Sequence, residues 1–115
     1  MNLVENYRFG KIVINGEKYS KDLIVFRDEI RTNWWRKEGH SLCLEDLTAL
    51  DDIKTDILVV GIGSAGIMKV PSDVIQGLSK KGIEVIVLKT QEAVEKYNKL
   101  AKQKKQVAGA FHLTC

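Results

Sequence analysis

Cysteine and proline are scarce in this chain of 115 residues. Its two cysteines, Cys43 and Cys115, lie far apart and form no Cys-x-x-Cys pair, which argues against a disulfide framework and a structural zinc site. Pro71 is the only proline, and no Gly- or Ser-rich linker interrupts the sequence. We therefore expect a single domain that spans residues 1–115.

Long apolar runs are also missing. No stretch reaches the roughly 18–20 apolar residues that a membrane span needs. The first ten residues, MNLVENYRFG, contain no basic segment followed by an apolar one, so they do not read as a secretory signal. Charged residues make up 29% of the chain and apolar residues 44%, the balance of a globular domain. We expect a cytoplasmic protein that does not enter a membrane.

Positive charge is concentrated near the carboxyl end of the sequence. Residues 89–105 contain six lysines and two glutamates, whereas the whole chain has a net charge of +3. A lysine-rich helix can attract phosphates or an acidic partner, but it is also typical of a solvated helix face. Because this lysine-rich segment contains no arginine interleaved with aromatic residues, we do not expect nucleic-acid binding.

The first third of the chain favours short antiparallel strands. The pair Asn15-Gly16 lies between two extended runs and is typical of a type I′ hairpin turn, in which both central residues have positive φ. Further extended runs follow, so the sequence predicts a small β-meander. The predicted strands are RFGKIVI (8–14), EKYS (17–20), LIVF (23–26) and IRTNWW (30–35).

The rest of the chain alternates strands with helices. Continuous apolar runs are typical of strands buried on both faces, and helical crossovers between them imply parallel pairing. Pro71 and Ser72 signal the start of one helix, and Thr90 is the predicted N-cap of the next. The fold class is therefore α/β, with an N-terminal antiparallel meander joined to a β-α-β-α-β unit and a parallel or mixed sheet. The predicted elements are helices at 44–52, 71–82 and 90–105 and strands at 56–61, 83–89 and 107–114.

The segment VVGIGSAG (59–66) carries the spacing Gly-x-Gly-x-x-Gly that is found in dinucleotide-binding loops. Such a loop must lead directly into a helix, yet Pro71 places the next helix too late. The acidic residue that would bind the ribose is also missing, because Lys89 occupies its place. We therefore predict no nucleotide cofactor, and interpret the glycines as a tight strand-to-helix connection.

The carboxyl ends of the three parallel strands should meet at one edge of the sheet, where ligands collect in open α/β folds. Helix N-termini, a lysine and main-chain N–H groups at that edge favour a small anion. The sequence thus predicts a ligand pocket that gathers Gly61, Gly63, Ser64, Gly66, Lys89, Thr90, His112, Thr114 and Cys115.

Catalytic and metal sites have weaker support. Cys115 is the best nucleophile candidate, but in an extended strand it would point away from His112, so a Cys-His pair requires the strand to end after His112. A metal site built from His40 and His112 needs a third ligand that the sequence does not identify. We therefore predict no catalytic residues, no metal and no cofactor. Four residues of WWRKEGH form a possible interface or pocket rim: Trp34, Trp35, Arg36 and His40.

Five segments in order give the chain a family resemblance over about residues 8–115. They are YRFGKIVINGEKYSKDLIV, RKEGHSL, DILVVGIGSAG, TQEAVEKYNKL and the terminal FHLTC, and together they resemble the Mth938-like domain family. The resemblance implies an α/β domain with an added β layer and no established enzymatic activity. The family includes uncharacterised prokaryotic proteins, and its eukaryotic relatives include a mitochondrial complex I assembly factor and a protein linked to adipogenesis. The residues that match its motifs are Arg36, His40, Gly61, Gly63, Gly66, Thr90, His112, Thr114 and Cys115.

Two functional hypotheses remain open. The first is a small cytosolic, non-enzymatic domain that binds an unknown partner protein or assists assembly. The alternative is a site for a small anionic ligand, or an enzyme acting through Cys115, at the carboxyl edge formed by Gly61–Gly66, Thr90 and His112–Cys115. The sequence leans against an enzyme without deciding the question.

Overall fold

The computed structural model describes the whole chain, from Met1 to Cys115. It contains eight strands, two α-helices and one 3₁₀ helix. The strands are β1 (Val4–Arg8), β2 (Lys11–Ile14), β3 (Glu17–Tyr19), β4 (Leu23–Phe26), β5 (Ile30–Arg31), β6 (Ile57–Ile62), β7 (Glu84–Leu88) and β8 (Val107–His112); the helices are the 3₁₀ helix (Leu44–Asp51), α1 (Ser72–Lys80) and α2 (Thr90–Lys102).

The strands form two sheets. The larger sheet has the order β5-β4-β8-β6-β7, in which β6 pairs parallel with both β7 and β8, and β4 pairs antiparallel with β8 and β5. The smaller sheet is the antiparallel array β1-β2-β3. This confirms the predicted α/β class with a mixed sheet and an added antiparallel layer.

Both faces of the larger sheet are covered. Alternate side chains of β6 belong to different core clusters, because successive residues of a strand point to opposite faces. Val59 packs in the cluster that contains α2 and the small sheet, whereas Leu58 and Val60 pack with α1 and the 3₁₀ helix. The apolar run of β6 is therefore explained by burial on both sides, as the sequence predicts.

The hairpin turn between β2 and β3 follows the sequence prediction. Asn15 and Gly16 have φ values of 52° and 79°, the positive values that a type I′ turn requires. The apolar residues of α2 recur at helical spacing and are all buried: Ala93, Val94, Tyr97, Leu100 and Ala101. Neither α-helix is both long and apolar enough to cross a membrane.

The prediction that the N-terminal strands form one antiparallel meander is wrong, because these strands are divided between the two sheets. Strands β4 and β5 leave the small sheet and join the larger one, where β4 pairs with β8 at the other end of the chain. The reason is burial: all four residues of LIVF are buried, so this strand needs a cover on each face that a small surface sheet cannot give.

Several predicted boundaries also need correction. The strand expected at 30–35 ends at Arg31, since Asn33 adopts a positive φ of 54° that turns the chain before the tryptophans. The helix predicted at 44–52 is a 3₁₀ helix over Leu44–Asp51, and β8 ends at His112 instead of residue 114. Thr90 is not the N-cap: Lys89 precedes α2, and Thr90 is its first helical residue.

Candidate functional site

The last three residues of the chain pack against the glycine loop, Gly61–Gly66, which begins at the end of β6. The Ser64 N–H donates to the Thr114 carbonyl oxygen at 2.6 Å, and the Ile67 N–H donates to the main-chain oxygen of Cys115 at 3.0 Å. Gly63 has a φ of +102°, and a Cβ atom there would lie 2.2 Å from the carbonyl carbon of Cys115. Only glycine therefore allows the tail, residues 113–115, to lie so close to the loop.

This contact reduces the number of N–H groups at the glycine loop that could bind an anion. The N–H of Ser64, which the sequence offers to an anion, and the N–H of Ile67, just beyond the predicted loop, already have partners in the tail. The Tyr7 hydroxyl adds a third anchor by donating to the Leu113 carbonyl oxygen at 2.9 Å. An anion could use the loop N–H groups only by displacing the tail.

Thr90 joins the loop to β8. Its fully buried hydroxyl donates to the His112 carbonyl oxygen at 2.6 Å and accepts the Gly63 N–H at 2.8 Å. The Thr90 N–H in turn donates to the Gly63 carbonyl oxygen at 3.1 Å. The hydroxyl predicted to cap its own helix thus satisfies two neighbouring main-chain groups instead.

A buried ion pair supports His112. The Asp22 Oδ2 atom lies 2.7 Å from Arg36 Nη1 and 2.7 Å from His112 Nδ1, while Oδ1 accepts the Leu113 N–H at 2.8 Å. The exposed fractions of these side chains are 16% for Asp22, 6% for Arg36 and 7% for His112. Arg36 also lies over the Trp34 ring, 4.8 Å from its centroid, and donates to the Gly39 carbonyl oxygen.

The network determines the charge of Asp22 and the orientation of the His112 ring. Burial raises the pKa of Asp22, but hydrogen bonds from His112, the Leu113 N–H and Arg36 outweigh that effect and leave the pKa below its ordinary value. An ionised Asp22 is an acceptor, so His112 Nδ1 carries the proton of their shared hydrogen bond. Arg36 Nη2 lies 3.1 Å from the same nitrogen, but two donors cannot share a hydrogen bond, so Arg36 pairs with Asp22 rather than with the ring. In the neutral ring Nε2 then holds the lone pair, and the Thr114 hydroxyl lies 3.5 Å from it.

His40 and Cys115 complete the cluster. The Lys69 N–H donates to the His40 carbonyl oxygen at 2.8 Å. This hydrogen bond joins the loop around His40 to the segment that follows the glycine loop. The Cys115 Sγ atom lies 3.8 Å from His40 Nε2. One ligating atom each of His40, His112 and Cys115 lies within 4.8 Å of the others. Nitrogen and thiol donors so arranged can bind a metal ion or share a proton.

The structure brings most of the predicted pocket together, because the glycine loop, Thr90 and the tail are in contact. Lys89 lies at the margin: it is exposed, and its aliphatic stem packs beside Gly66. Of the predicted rim, Arg36 and His40 reach the site. Trp34 is half-buried beneath Arg36 and donates to the Asp46 carbonyl oxygen, whereas Trp35 is exposed to solvent.

Asp22 is the site residue that the sequence analysis missed. It directly precedes β4, and the register Leu23↔Phe111 between β4 and β8 brings it opposite His112. The available signal was an acid at the start of a fully buried apolar strand. Asp22 can be identified as the partner of His112 only after the strand LIVF is assigned to the larger sheet.

A separate cavity of 270 Å³ lies at the opposite edge of the sheet, where the parallel strands begin. It is lined in part by Phe26, Ile53 and Val107. None of the residues of the cluster described above lines this cavity, so the cavity is not part of the site.

Comparisons with known proteins agree with the fold. A family model described as a protein of unknown function (DUF498/DUF598) matches residues 4–112. PH1505, a conserved hypothetical protein from Pyrococcus horikoshii, is 25% identical with a TM-score of 0.78, covering 97% of this chain and 98% of its own. MT938 is 26% identical with a TM-score of 0.80 and full coverage of both chains.

A third similar structure carries the family's fold name. This Mth938-like domain from Bordetella pertussis has a TM-score of 0.74 and 18% identity, covering 97% of this chain and 85% of that one. The family match begins at Val4 and ends at His112, so the tail on which the sequence resemblance partly relied lies outside it. The chain belongs to the family of proteins of unknown function DUF498/DUF598, which has the Mth938-like fold.

Proposed function

We propose that this chain is a non-catalytic, cytoplasmic binding domain that contacts a partner protein through the carboxyl edge of its larger sheet. The observation that supports the proposal most is a pair of large apolar side chains beside the docked tail. Phe9 is 65% exposed and Ile67 is 50% exposed. Exposed apolar groups at a defined place on a domain are typical of protein interaction sites.

Both side chains project from well-anchored main chain. Phe9 precedes Gly10, whose N–H donates to the Leu113 carbonyl oxygen at 2.8 Å, and Ile67 is bonded directly to Cys115 through its main-chain N–H. The tail thus connects the two residues, and we call Phe9, Ile67, Thr114 and Cys115 the tail face. Because its main chain is already ordered, a partner would bind it with little loss of conformational entropy.

Site-specific photo-crosslinking in cells of the source organism tests this proposal. A photoreactive amino acid at Phe9 or Ile67 should capture the same partner, whereas one at Gln103, exposed beyond the end of α2, should not. The substitution Ile67→Asp should reduce capture from position 9. Equal capture from Gln103, or none from either tail-face position, would reject the proposal.

The small-anion alternative has one specific observation in its favour. Lys89 is exposed at the start of α2, beside Gly66, where a helix N-terminus also attracts negative charge. A thermal-shift screen with phosphate, nucleotides and carboxylates tests it. We would expect a raised melting temperature that is lost in Lys89→Ala, and the absence of any shift would remove this alternative.

A further inference from the structure

Both histidines of the chain and one of its two cysteines meet at the carboxyl edge. They come from separate parts of the sequence: His40 from the loop before the 3₁₀ helix, His112 from the end of β8, and Cys115 from the tail. We propose that His40, His112 and Cys115 bind a divalent metal ion of the zinc class. The proposal does not depend on a partner protein and can be tested on the isolated chain.

The separations of the three donors suit a small metal ion. Zinc bonds of about 2.0–2.1 Å to nitrogen and about 2.3 Å to sulfur place tetrahedral ligand atoms about 3.3–3.7 Å apart. The distance of 3.8 Å between Cys115 Sγ and His40 Nε2 is close to this range, and the widest separation in the group is 4.8 Å. The donors therefore need to approach by about 1 Å on binding.

The three side chains differ in burial in a way that permits this approach. His112 is buried and held by Asp22, so it provides a fixed donor. His40 is exposed and Cys115 is half-buried, so rotation of either side chain is not opposed by dense packing. The main chain of both residues is nevertheless anchored to the segment that follows β6, through Lys69 and Ile67.

His112 already has the environment of a metal ligand. In metal sites, a ligating histidine commonly donates its second ring N–H to a carboxylate, which fixes the tautomer and strengthens the donor atom. Asp22 occupies that position at 2.7 Å from Nδ1, and Nε2 remains available. Arg36 neutralises the Asp22 carboxylate, so the added negative charge at the site would come from the cysteine thiolate.

The donor set identifies the class of metal. Two imidazoles and a thiolate favour Zn²⁺ and similar borderline ions, whereas Mg²⁺ and Ca²⁺ prefer oxygen ligands. Three protein ligands leave a fourth position for water or an added ligand, unlike a closed structural site. Binding converts the Cys115 thiol to a thiolate and releases one proton to solvent.

Cobalt(II) titration of the untagged chain with reduced thiols tests the proposal. We expect one equivalent of Co²⁺ to give a sulfur-to-cobalt charge-transfer band together with the visible bands of tetrahedral cobalt, and Zn²⁺ to remove both. Cys115→Ser should abolish the charge-transfer band, and His40→Ala should weaken Co²⁺ binding. Cys43→Ser is the matched control and should bind Co²⁺ as the parent chain does.

Asp22→Asn tests whether the Asp22 carboxylate orients His112 as a ligand. It should lower the affinity for Co²⁺ by about 10–100-fold while the charge-transfer band persists at saturation. Nitrogen-15 NMR of the imidazole rings should show His112 protonated at Nδ1 in the parent chain and a different tautomer mixture in the variant. The proposal is overturned if no charge-transfer band forms, or if the band survives Cys115→Ser or disappears in Cys43→Ser.

Discussion

Asp22 links the beginning of β4 to the end of β8 through a single carboxylate. It accepts hydrogen bonds from a guanidinium, an imidazole and a main-chain N–H, and all three donors come from segments distant in sequence. Its loss would leave the Arg36 charge buried without a counter-ion, which is among the more costly changes in a protein interior.

The substitution Asp22→Asn tests this role. At neutral pH it should lower the free energy of unfolding by about 2 kcal/mol, because the amide keeps the shape but not the charge. The native pKa of Asp22 lies below its unfolded value, so its contribution is full above the ordinary carboxyl pKa and is lost as the pH falls through the native pKa.

Urea unfolding of the parent chain and the variant from pH 7 to acid measures both effects. Part of the acid-induced loss of stability should be missing in Asp22→Asn, while Asp52→Asn, at an exposed carboxylate, should resemble the parent chain. Parallel pH profiles for the parent chain and Asp22→Asn would contradict this account.

Gly63 allows a second test at the residue scale. Gly63→Ala adds strain at a φ of +102° and also places a methyl group against the main chain of Cys115. Gly10→Ala is the matched control, since Gly10 has a φ of +77° but no atom within 4 Å of an added Cβ. We expect a loss of about 1 kcal/mol for Gly10→Ala.

The loss for Gly63→Ala should be at least about 2 kcal/mol larger, because the tail must shift or detach. Thermal and urea unfolding measure the difference between the two variants. Faster limited proteolysis at the carboxyl end of Gly63→Ala would show that the tail is released. Equal losses in the two variants would mean that the tail does not press on the loop.

At the scale of elements, the first side chain of α2 links the helix to the glycine loop and to β8 by hydrogen bonds. Thr90→Val replaces the hydroxyl by a methyl group of similar size and leaves the Gly63 N–H and the His112 carbonyl without their partner. Burial of these two groups predicts a loss of about 2–4 kcal/mol in the free energy of unfolding.

Thr90→Ser is the matched control for that substitution. It retains the hydroxyl and loses only a methyl group, so it should cost about 1 kcal/mol. Chemical denaturation of the three proteins gives the comparison. If serine and valine destabilise the chain equally, the hydrogen bonds of Thr90 contribute little and its methyl contact is the main effect.

The elements that the sequence predicts correctly have local causes. The β2–β3 turn needs only Asn15-Gly16, and the buried face of α2 follows from the spacing of its apolar residues. The pairing of β4 with β8 could not be predicted in this way, because the partner strand lies at the other end of the chain. The same limit explains Thr90, whose hydroxyl finds non-local acceptors and donors instead of its own helix end.

At the scale of the whole molecule, the site is an assembly of five segments. Asp22 precedes β4, Arg36 and His40 lie between β5 and the 3₁₀ helix, the glycine loop follows β6, Thr90 begins α2, and the tail follows β8. The sequence predicts most of these residues, since parallel strands share a carboxyl edge. The sequence could not predict that the tail packs against the glycine loop. Nor could it predict that the tail places Cys115 beside His40.

We propose the carboxyl edge of the larger sheet as the functional surface of this domain. Heteronuclear NMR of the amide groups, with and without one equivalent of Zn²⁺, tests this most directly. We predict that shifts concentrate around Asp22, in residues 38–42 and 61–67, and in the tail. Shifts that are absent, or that are confined to surfaces remote from the tail, would contradict the account.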